Sequence, residues 1–134
     1  QESRGLGDVY KRQRQEMIDI TNLVTADLEA ENFKDGLCIV FVTHTTAALT
    51  INENADPDVP RDMLAKLTQL VPENDSYHHL EGNSDAHILS TLIGCSLNIP
   101  VVNGKMILGI WQGLFFVELD GPRQRRFKVK LLAG

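Results

Sequence analysis

The sequence predicts an α+β fold in a single compact domain, with largely antiparallel sheets and two or three helices. The last third of the chain contains consecutive strand patterns that short turn signals separate. Helical patterns lie between the earlier strands. A length of 134 residues with 43% hydrophobic content allows one substantial core, but not two comfortable domains.

Composition and charge exclude several classes of function. A formal net charge of -5 gives no basic footprint for nucleic acid, and no basic amphipathic stretch predicts binding to a membrane surface. No run of about 18 apolar residues predicts a membrane-spanning helix. We interpret Cys38 and Cys95 as two reduced, buried thiols rather than as a disulfide framework. We therefore expect a cytoplasmic protein whose partners are small molecules, with no nucleic acid and no membrane.

The first 13 residues follow neither the period of a strand nor that of a helix, and they are polar and contain glycine. They resemble translated sequencing adapter, so we expect residues 1–13 to be a non-native scar and residues 14–134 to be the domain. A native first strand would then be missing.

The first half of the domain alternates strands and helices. Residues 17–20 predict a short strand, and Thr21 is the predicted cap of a helix that ends near Asn32. The uninterrupted apolar run 37–42 predicts a central strand that is covered on both faces. Residues 47–51 predict the next strand.

Two further helices are predicted in the middle of the chain. Asp58 is the favoured cap for the first of them, which ends before Pro72. The second covers residues 86–93, with Ser84 or Asp85 as its cap.

The sequence of the last third of the chain predicts a meander of consecutive antiparallel strands. Asn103-Gly104 between the apolar segments 97–102 and 106–111 predicts a hairpin with a type I′ turn, because both central residues of that turn need positive φ. Residues 114–119 and 127–132 predict two more strands.

Basic residues alternate with apolar ones along the last of these strands. They are Arg126, Lys128 and Lys130. We interpret them as a solvated face on a protected edge strand rather than as a stripe that binds anions.

Three of the four histidines lie in the segment 77–87, and the fourth, His44, follows the apolar strand. Imidazoles from such strand and loop ends could converge on one divalent metal, with a position left for water or substrate. The spacing from His79 to His87 matches no zinc-finger or helical pattern. Surface or hydrogen-bonding histidines are therefore the alternative.

Several other polar residues lie where strands and turns end. Glu53 follows an apolar strand and could act as a general base or ligand, or be an ordinary strand-end charge. Thr45 and Thr46 could hold a phosphate, although threonine is also a good strand residue. Arg123, after a Gly-Pro turn, could bind a phosphate or be solvated.

The only tryptophan, Trp111, lies between Gly109 and Gly113. Glycines at a strand junction indicate a bulge or a close approach of the backbone to another group. Trp111 could be a pocket wall or a buried indole, and Gln112 could face the same cavity.

Six ordered motifs together resemble the YjbQ-like family (UPF0047), also called secondary thiamine-phosphate synthase. The motifs occupy residues 43–49, 52–58, 79–83, 85–87, 108–112 and 120–123. The similarity runs from about Arg14 to the C-terminus. It implies a compact α+β homotrimer with a histidine-lined pocket. It also implies formation of thiamine phosphate from two small phosphorylated molecules, a pyrimidine diphosphate and a thiazole phosphate, with release of pyrophosphate.

The resemblance also implies roles for the residues at matching positions. The implied ligands of a divalent metal are His44, His79 and His87. The residues that we expect to be catalytic are Glu53, Asp58 and Gln112. The residues that we expect to bind substrate are Thr45, Thr46, Asn83, Asp85, Trp111 and Arg123.

The implied metal and the implied reaction favour different ions. Three imidazoles suit a zinc-like metal, whereas diphosphate chemistry commonly uses Mg²⁺ on oxygen ligands. The same residues would serve a metal-dependent hydrolase with Glu53 as its base, for which synthase activity would be incidental. A non-catalytic trimer that binds a small ligand or a metal is the third hypothesis.

Overall fold

The computed structural model describes the backbone of residues 2–5 and all of residues 13–134. Three helices and eight strands lie in these ranges, and every strand pair is antiparallel. The predicted α+β class and the single compact domain are therefore confirmed. None of the helices in these ranges is long and apolar enough to cross a membrane.

The elements follow one another without long insertions. In chain order they are β1 (Glu2–Gly5), β2 (Glu16–Asp19), α1 (Thr21–Ala30), β3 (Gly36–Val42), β4 (Ala47–Glu53), α2 (Asp58–Leu70), α3 (Ser84–Ile93), β5 (Ser96–Val102), β6 (Lys105–Met106), β7 (Gln112–Glu118) and β8 (Arg126–Ala133).

The proposed scar falls partly on the described chain. Residues 1 and 6–12 lie outside the described residues, whereas β1 pairs with β8 at the edge of the larger sheet. That edge therefore carries a strand. The non-native origin of residues 1–13 stays a prediction.

The larger sheet has the order β1-β8-β3-β5-β6, so β3 is central as its apolar sequence predicts. Its side chains Cys38, Val40 and Val42 are buried in the core, but Phe41 on the other face is 43% exposed. The expectation that both faces are covered is therefore wrong within one chain. The expectation of two buried thiols is confirmed for Cys38 and wrong for Cys95, which is exposed just before β5.

The last strand, β8, lies between β1 and β3 and is not the predicted edge strand. Its basic side chains Arg126, Lys128 and Lys130 are exposed, as the alternating pattern predicts.

The smaller sheet has the order β2-β7-β4 and carries a hydrophobic core on each face. On one face Leu49 and Phe116 pack with β3, β5, β8 and α1. On the other face Ala48 and Val117 pack with α3, while α2 adds partly buried side chains. The molecule is therefore layered as the larger sheet, the smaller sheet and the helices α2 and α3, with α1 packed against the core between the sheets.

The predicted caps of all three helices are corrected by the structure. Asp19 rather than Thr21 provides the side-chain oxygen at the start of α1, because the Thr21 N–H and hydroxyl both donate to Asp19 Oδ1. At α2 the Asp58 N–H donates to Asp56 Oδ1 at 2.9 Å, and Asp58 itself lies in the first helical turn. The third helix starts after Asn83, so neither Ser84 nor Asp85 is its cap.

The predicted hairpin is confirmed, but its second strand is shorter than expected. Asn103 and Gly104 have φ values of 52° and 80°, as a type I′ turn requires. The ladder ends after β6 because the Leu108 N–H turns back to the Met106 carbonyl at 3.1 Å. Residues 107–111 are therefore a loop.

Candidate functional site

A pair of histidines lines a surface pocket of about 410 Å³. His79 comes from the loop before α3 and His87 from the first turn of that helix. Their ring centroids are 5.5 Å apart, with an angle of 81° between the planes. The other lining residues are Ser76, Tyr77, His78, Ser84 and Ile88. The structure therefore brings together two of the three predicted metal ligands.

An exposed carboxylate accompanies this pair. Glu81 Oε1 lies 3.0 Å from His79 Nε2. Both side chains are largely solvated, so the contact contributes little to stability. The contact places a carboxylate oxygen beside the His79 imidazole.

The third predicted ligand, His44, contacts a different element. The Arg126 N–H at the start of β8 donates to His44 Nε2 at 3.0 Å. Within residues 13–134, no three His, Cys, Asp or Glu side chains are placed to hold a metal ion. The three-histidine site is therefore not assembled by the described part of one chain, and it stays a prediction.

A buried ion pair lies beside His44. Arg125 is 4% exposed and Glu118 is fully buried, and two hydrogen bonds of 2.7 and 2.6 Å join them. The same guanidinium donates to the Thr46 carbonyl at 3.0 Å and to its hydroxyl at 2.8 Å. Thr46 therefore anchors its loop to the ion pair, whereas Thr45 is exposed.

A second ion pair holds the start of α3. Arg14 donates two hydrogen bonds, of 3.0 and 2.9 Å, to the Asp85 carboxylate, which is 1% exposed. These hydrogen bonds raise the pKa of Arg14. Asp85, predicted to bind substrate, is therefore already paired within the chain.

Replacing Arg14 by Ala is expected to lower the free energy of unfolding by about 1.5–3 kcal/mol, because the Asp85 carboxylate would stay buried without its hydrogen-bond donor. Urea denaturation measures this change. Arg61→Ala is the control, since Arg61 and Asp58 form an exposed pair expected to be worth at most about 1 kcal/mol. Equal losses in the two variants would contradict a structural role for Arg14.

The turn after β7 gathers two more of the predicted substrate residues. Asn83 Nδ2 donates to Asp120 Oδ2 at 2.9 Å, and Arg123 Nη2 donates to the same oxygen at 2.9 Å. The Arg123 charge is therefore balanced by Asp120. Asn83 Oδ1 is buried and accepts no hydrogen bond from the described residues, so it is an open acceptor at this end of α3.

Glu53 and Gln112 lie at the opposite end of the smaller sheet, and Trp111 directly precedes Gln112. Ala47 pairs with Glu118 at one end of β4, and Glu53 pairs with Gln112 at the other. Six residue steps of about 3.4 Å separate Ala47 from Glu53, which gives about 20 Å. The Ser90 hydroxyl, in the second turn of α3, donates to the Ala47 carbonyl, and Asn83, just before the helix, donates to Asp120, just after Glu118. The helix therefore starts at the Ala47 end.

We call these two regions the histidine end and the tryptophan end. The histidine end comprises His44, Thr46, His79, His87, Glu118, Asp120 and Arg125. The tryptophan end comprises Glu53, Trp111 and Gln112. One chain does not bring the two ends together.

Side chains at the tryptophan end are exposed or support the local turn. Trp111 is 61% exposed. Gln112 Oε1 accepts a hydrogen bond from the Gly109 N–H at 2.7 Å and so closes the turn before β7. Asp58 lies in the first turn of α2 and forms an exposed pair with Arg61. None of the three lines the histidine pocket.

Comparison with known proteins identifies the chain's relatives. The family model described as UPF0047 protein YjbQ-like matches residues 7–134. The chain belongs to the YjbQ-like family. It is 51% identical over 124 residues to a UPF0047 protein of Methanocaldococcus jannaschii, covering 92% of this chain and 90% of that protein. It is 47% identical over 120 residues to YugU of Bacillus subtilis, with coverages of 89% and 91%.

Solved structures of YjbQ-like proteins share the fold. A family member from Clostridium acetobutylicum superimposes with a TM-score of 0.93 at 46% identity, covering 98% of this chain and 99% of that one. A YbjQ-like protein from Sulfolobus solfataricus gives a TM-score of 0.91 at 34% identity, with coverages of 99% and 96%. The two-sheet architecture of this YjbQ-like protein is therefore that of its relatives.

Sequence reasoning missed the buried charges at the histidine end. Glu118 interrupts the otherwise apolar segment 114–119, and a charge inside a buried strand requires a partner. This signal pointed to an ion pair in the core. Arg14 and Asp120 carried no comparable signal, because their contacts depend on long-range packing.

Proposed function

We propose that this YjbQ-like protein is an enzyme that acts on a small phosphorylated molecule at the histidine end. The first reaction to test is the joining of a pyrimidine diphosphate to a thiazole phosphate with release of pyrophosphate. One observation carries the proposal: His79 and His87 stand edge to face in a pocket of about 410 Å³. That volume is in the range of sites for small ligands.

The reaction makes defined demands on the pocket. The thiazole nitrogen forms a bond to the pyrimidine methylene, and the bond from that carbon to the diphosphate oxygen breaks with its electron pair. The protein must align the two rings and stabilise the departing diphosphate. Imidazoles suit the second task because they can donate hydrogen bonds to phosphate oxygens near neutral pH.

A divalent metal is part of the proposal. The described residues of one chain supply two of its ligands, His79 and His87, but not a third. His79 and His87 would hold the ion in two positions, which leaves the others for water and substrate oxygens. Two imidazoles favour a zinc-like ion, whereas Mg²⁺ would be held mainly by substrate phosphates. When bound, such an ion would neutralise charge on the diphosphate. Glu81 would orient His79.

We further propose that the protein acts as a homotrimer in the cytoplasm, with the tryptophan end of one subunit beside the histidine end of the next. Large apolar side chains exposed near that end support an interface; they are Ile107, Ile110 and Trp111. This arrangement would supply Glu53 and Trp111 to a pocket that lacks them in one chain.

A metal-dependent hydrolase is the second candidate, and one observation favours it. Arg123, the arginine predicted to bind the diphosphate, is already paired with Asp120. Hydrolysis by a metal-activated water does not need a free arginine. Glu53 of a neighbouring subunit would then be the general base.

Replacing His79 or His87 by Ala is expected to lower the rate of thiamine phosphate formation at least about 100-fold, since each removes a group that contacts the diphosphate or its metal. Product formation is measured with purified trimer, before and after metal removal and readdition. His78→Ala is the matched control, because His78 lines the same pocket outside the proposed set.

Three outcomes would contradict the proposed synthase reaction or the roles of its histidines. Absence of thiamine phosphate from the unmodified protein, with phosphate released from other monoesters, would favour the hydrolase. Equal rates in the His78, His79 and His87 variants would show that His79 and His87 take no part in catalysis. A protein that binds ligand without turnover in any assay would be a binding protein.

A further inference from the structure

We infer that His44 is a hydrogen-bond donor for a phosphate oxygen, held with its ring proton on Nδ1, rather than a ligand of the metal ion. This inference rests on the proposed function, because the phosphate would belong to the substrate of that reaction.

The tautomer follows from the contact with β8. The Arg126 N–H donates to His44 Nε2 at 3.0 Å, so Nε2 presents its lone pair. A neutral imidazole then carries its proton on Nδ1. Coordination through Nε2 would displace the Arg126 amide, and coordination through Nδ1 would move the proton to Nε2, directly against that amide. Either change breaks a backbone hydrogen bond.

The segments that flank His44 are hydrogen-bonded, which keeps its backbone beside the start of β8. Before it, the Val42 N–H donates to the Cys95 carbonyl at 2.9 Å. After it, the Thr46 carbonyl accepts hydrogen bonds from Arg125 and from the Leu119 N–H. The buried pair of Arg125 and Glu118 therefore holds the His44 loop against the start of β8.

Electrostatics near His44 favour the neutral ring. Burial lowers the pKa of His44, and the charge of Arg125 lowers it further, while Glu118 opposes them. The Arg126 amide also favours the neutral ring, because an imidazolium has no lone pair to accept that bond. The ring therefore offers one N–H donor without adding a charge.

The surroundings indicate an anion as the acceptor. No described residue accepts a hydrogen bond from Nδ1. The Glu118 carboxylate is occupied by Arg125 and by the Asp120 N–H. The Arg126 side chain is exposed and forms no ion pair with the described residues, so it supplies positive charge beside the loop. A donor next to an exposed arginine suits a phosphate oxygen.

Two measurements on the uniformly ¹⁵N-labelled full chain test the assignment without turnover. Long-range ¹H–¹⁵N correlations of the imidazoles are expected to show the Nδ1–H pattern for His44, and an Nε2–H pattern would overturn the inference. Zinc titration is expected to give His44→Ala an affinity within about twofold of the unmodified protein, whereas His79→Ala weakens it at least about tenfold. Equal loss in both variants would make His44 a ligand.

A matched pair of substitutions tests the anion. In His44→Gln, the side-chain oxygen lies the same number of bonds from Cβ as Nε2 of histidine, so it can accept the Arg126 hydrogen bond. In His44→Asn, the side-chain NH₂ lies the same number of bonds from Cβ as Nδ1, so it can replace the donor. Inorganic phosphate and pyrophosphate are titrated against the amide signals of Thr45 and Arg126. We expect His44→Gln to weaken binding at least about tenfold and His44→Asn to change it less than about threefold.

The outcomes separate this inference from the proposed function. Equal phosphate binding by the Gln and Asn variants, or no binding by the unmodified protein, would overturn the inference. A protein that passes all three measurements but forms no thiamine phosphate would refute the synthase reaction and leave the role of His44 intact.

Discussion

Replacing Arg125 by Met is expected to lower the free energy of unfolding by about 3–5 kcal/mol, because the Glu118 carboxylate would be left buried without its counter-ion. The Thr46 carbonyl and hydroxyl would also lose their shared donor. Urea denaturation followed by circular dichroism measures the change. A loss of this size is a large share of the stability of a domain of this length.

The double variant Arg125→Met, Glu118→Leu separates charge from packing. It removes both buried charges while keeping apolar volume, and we expect it to recover most of the loss. Lys66→Ala is the surface control, since its side chain only bridges to Gln69 on exposed α2. A single variant as stable as the unmodified protein would show that water or another residue compensates Glu118, and the ion pair would not hold the histidine end.

The parts of the fold that local sequence determines were predicted correctly. The apolar run of β3 identified a central strand, and Asn103-Gly104 identified the hairpin turn, because both depend on neighbours in sequence. The predicted length of β6 was wrong because the strand ends where the Leu108 N–H donates to the nearby Met106 carbonyl instead of to β5. The exposed face of β3 could not be predicted, since an apolar run does not distinguish burial within a chain from burial between chains.

The candidate site was predicted as a set of residues rather than as an arrangement. The histidine-rich segment did identify the pocket, because His79 and His87 flank the start of one helix. His44 follows the end of β3 and Glu53 lies at the end of β4. His44 contacts the start of β8, whereas Glu53 pairs with Gln112 of β7. The length of β4 sets the distance of about 20 Å between its ends. The register of β4 with β7, which brings Glu53 beside Gln112, follows from long-range contacts that motif spacing does not encode.

Mixing two inactive variants is expected to restore turnover if neighbouring subunits share a site. His79→Ala removes a group at the histidine end, and Glu53→Gln removes the carboxylate at the tryptophan end. Each homotrimer is expected to lose activity at least about 100-fold. Mixed trimers are made by joint refolding at equal concentrations, with the separately refolded variants combined afterwards as the control.

The expected recovery follows from cyclic symmetry. In the proposed trimer every interface would join the histidine end of one subunit to the tryptophan end of the next. About one interface in four would then join two intact halves after random assembly. Activity should therefore return to about a quarter of that of the unmodified protein. Mixed trimers as inactive as their parents would contradict a shared site. Glu53 would then act within its own chain or not at all, and the exposed Trp111 would need another explanation.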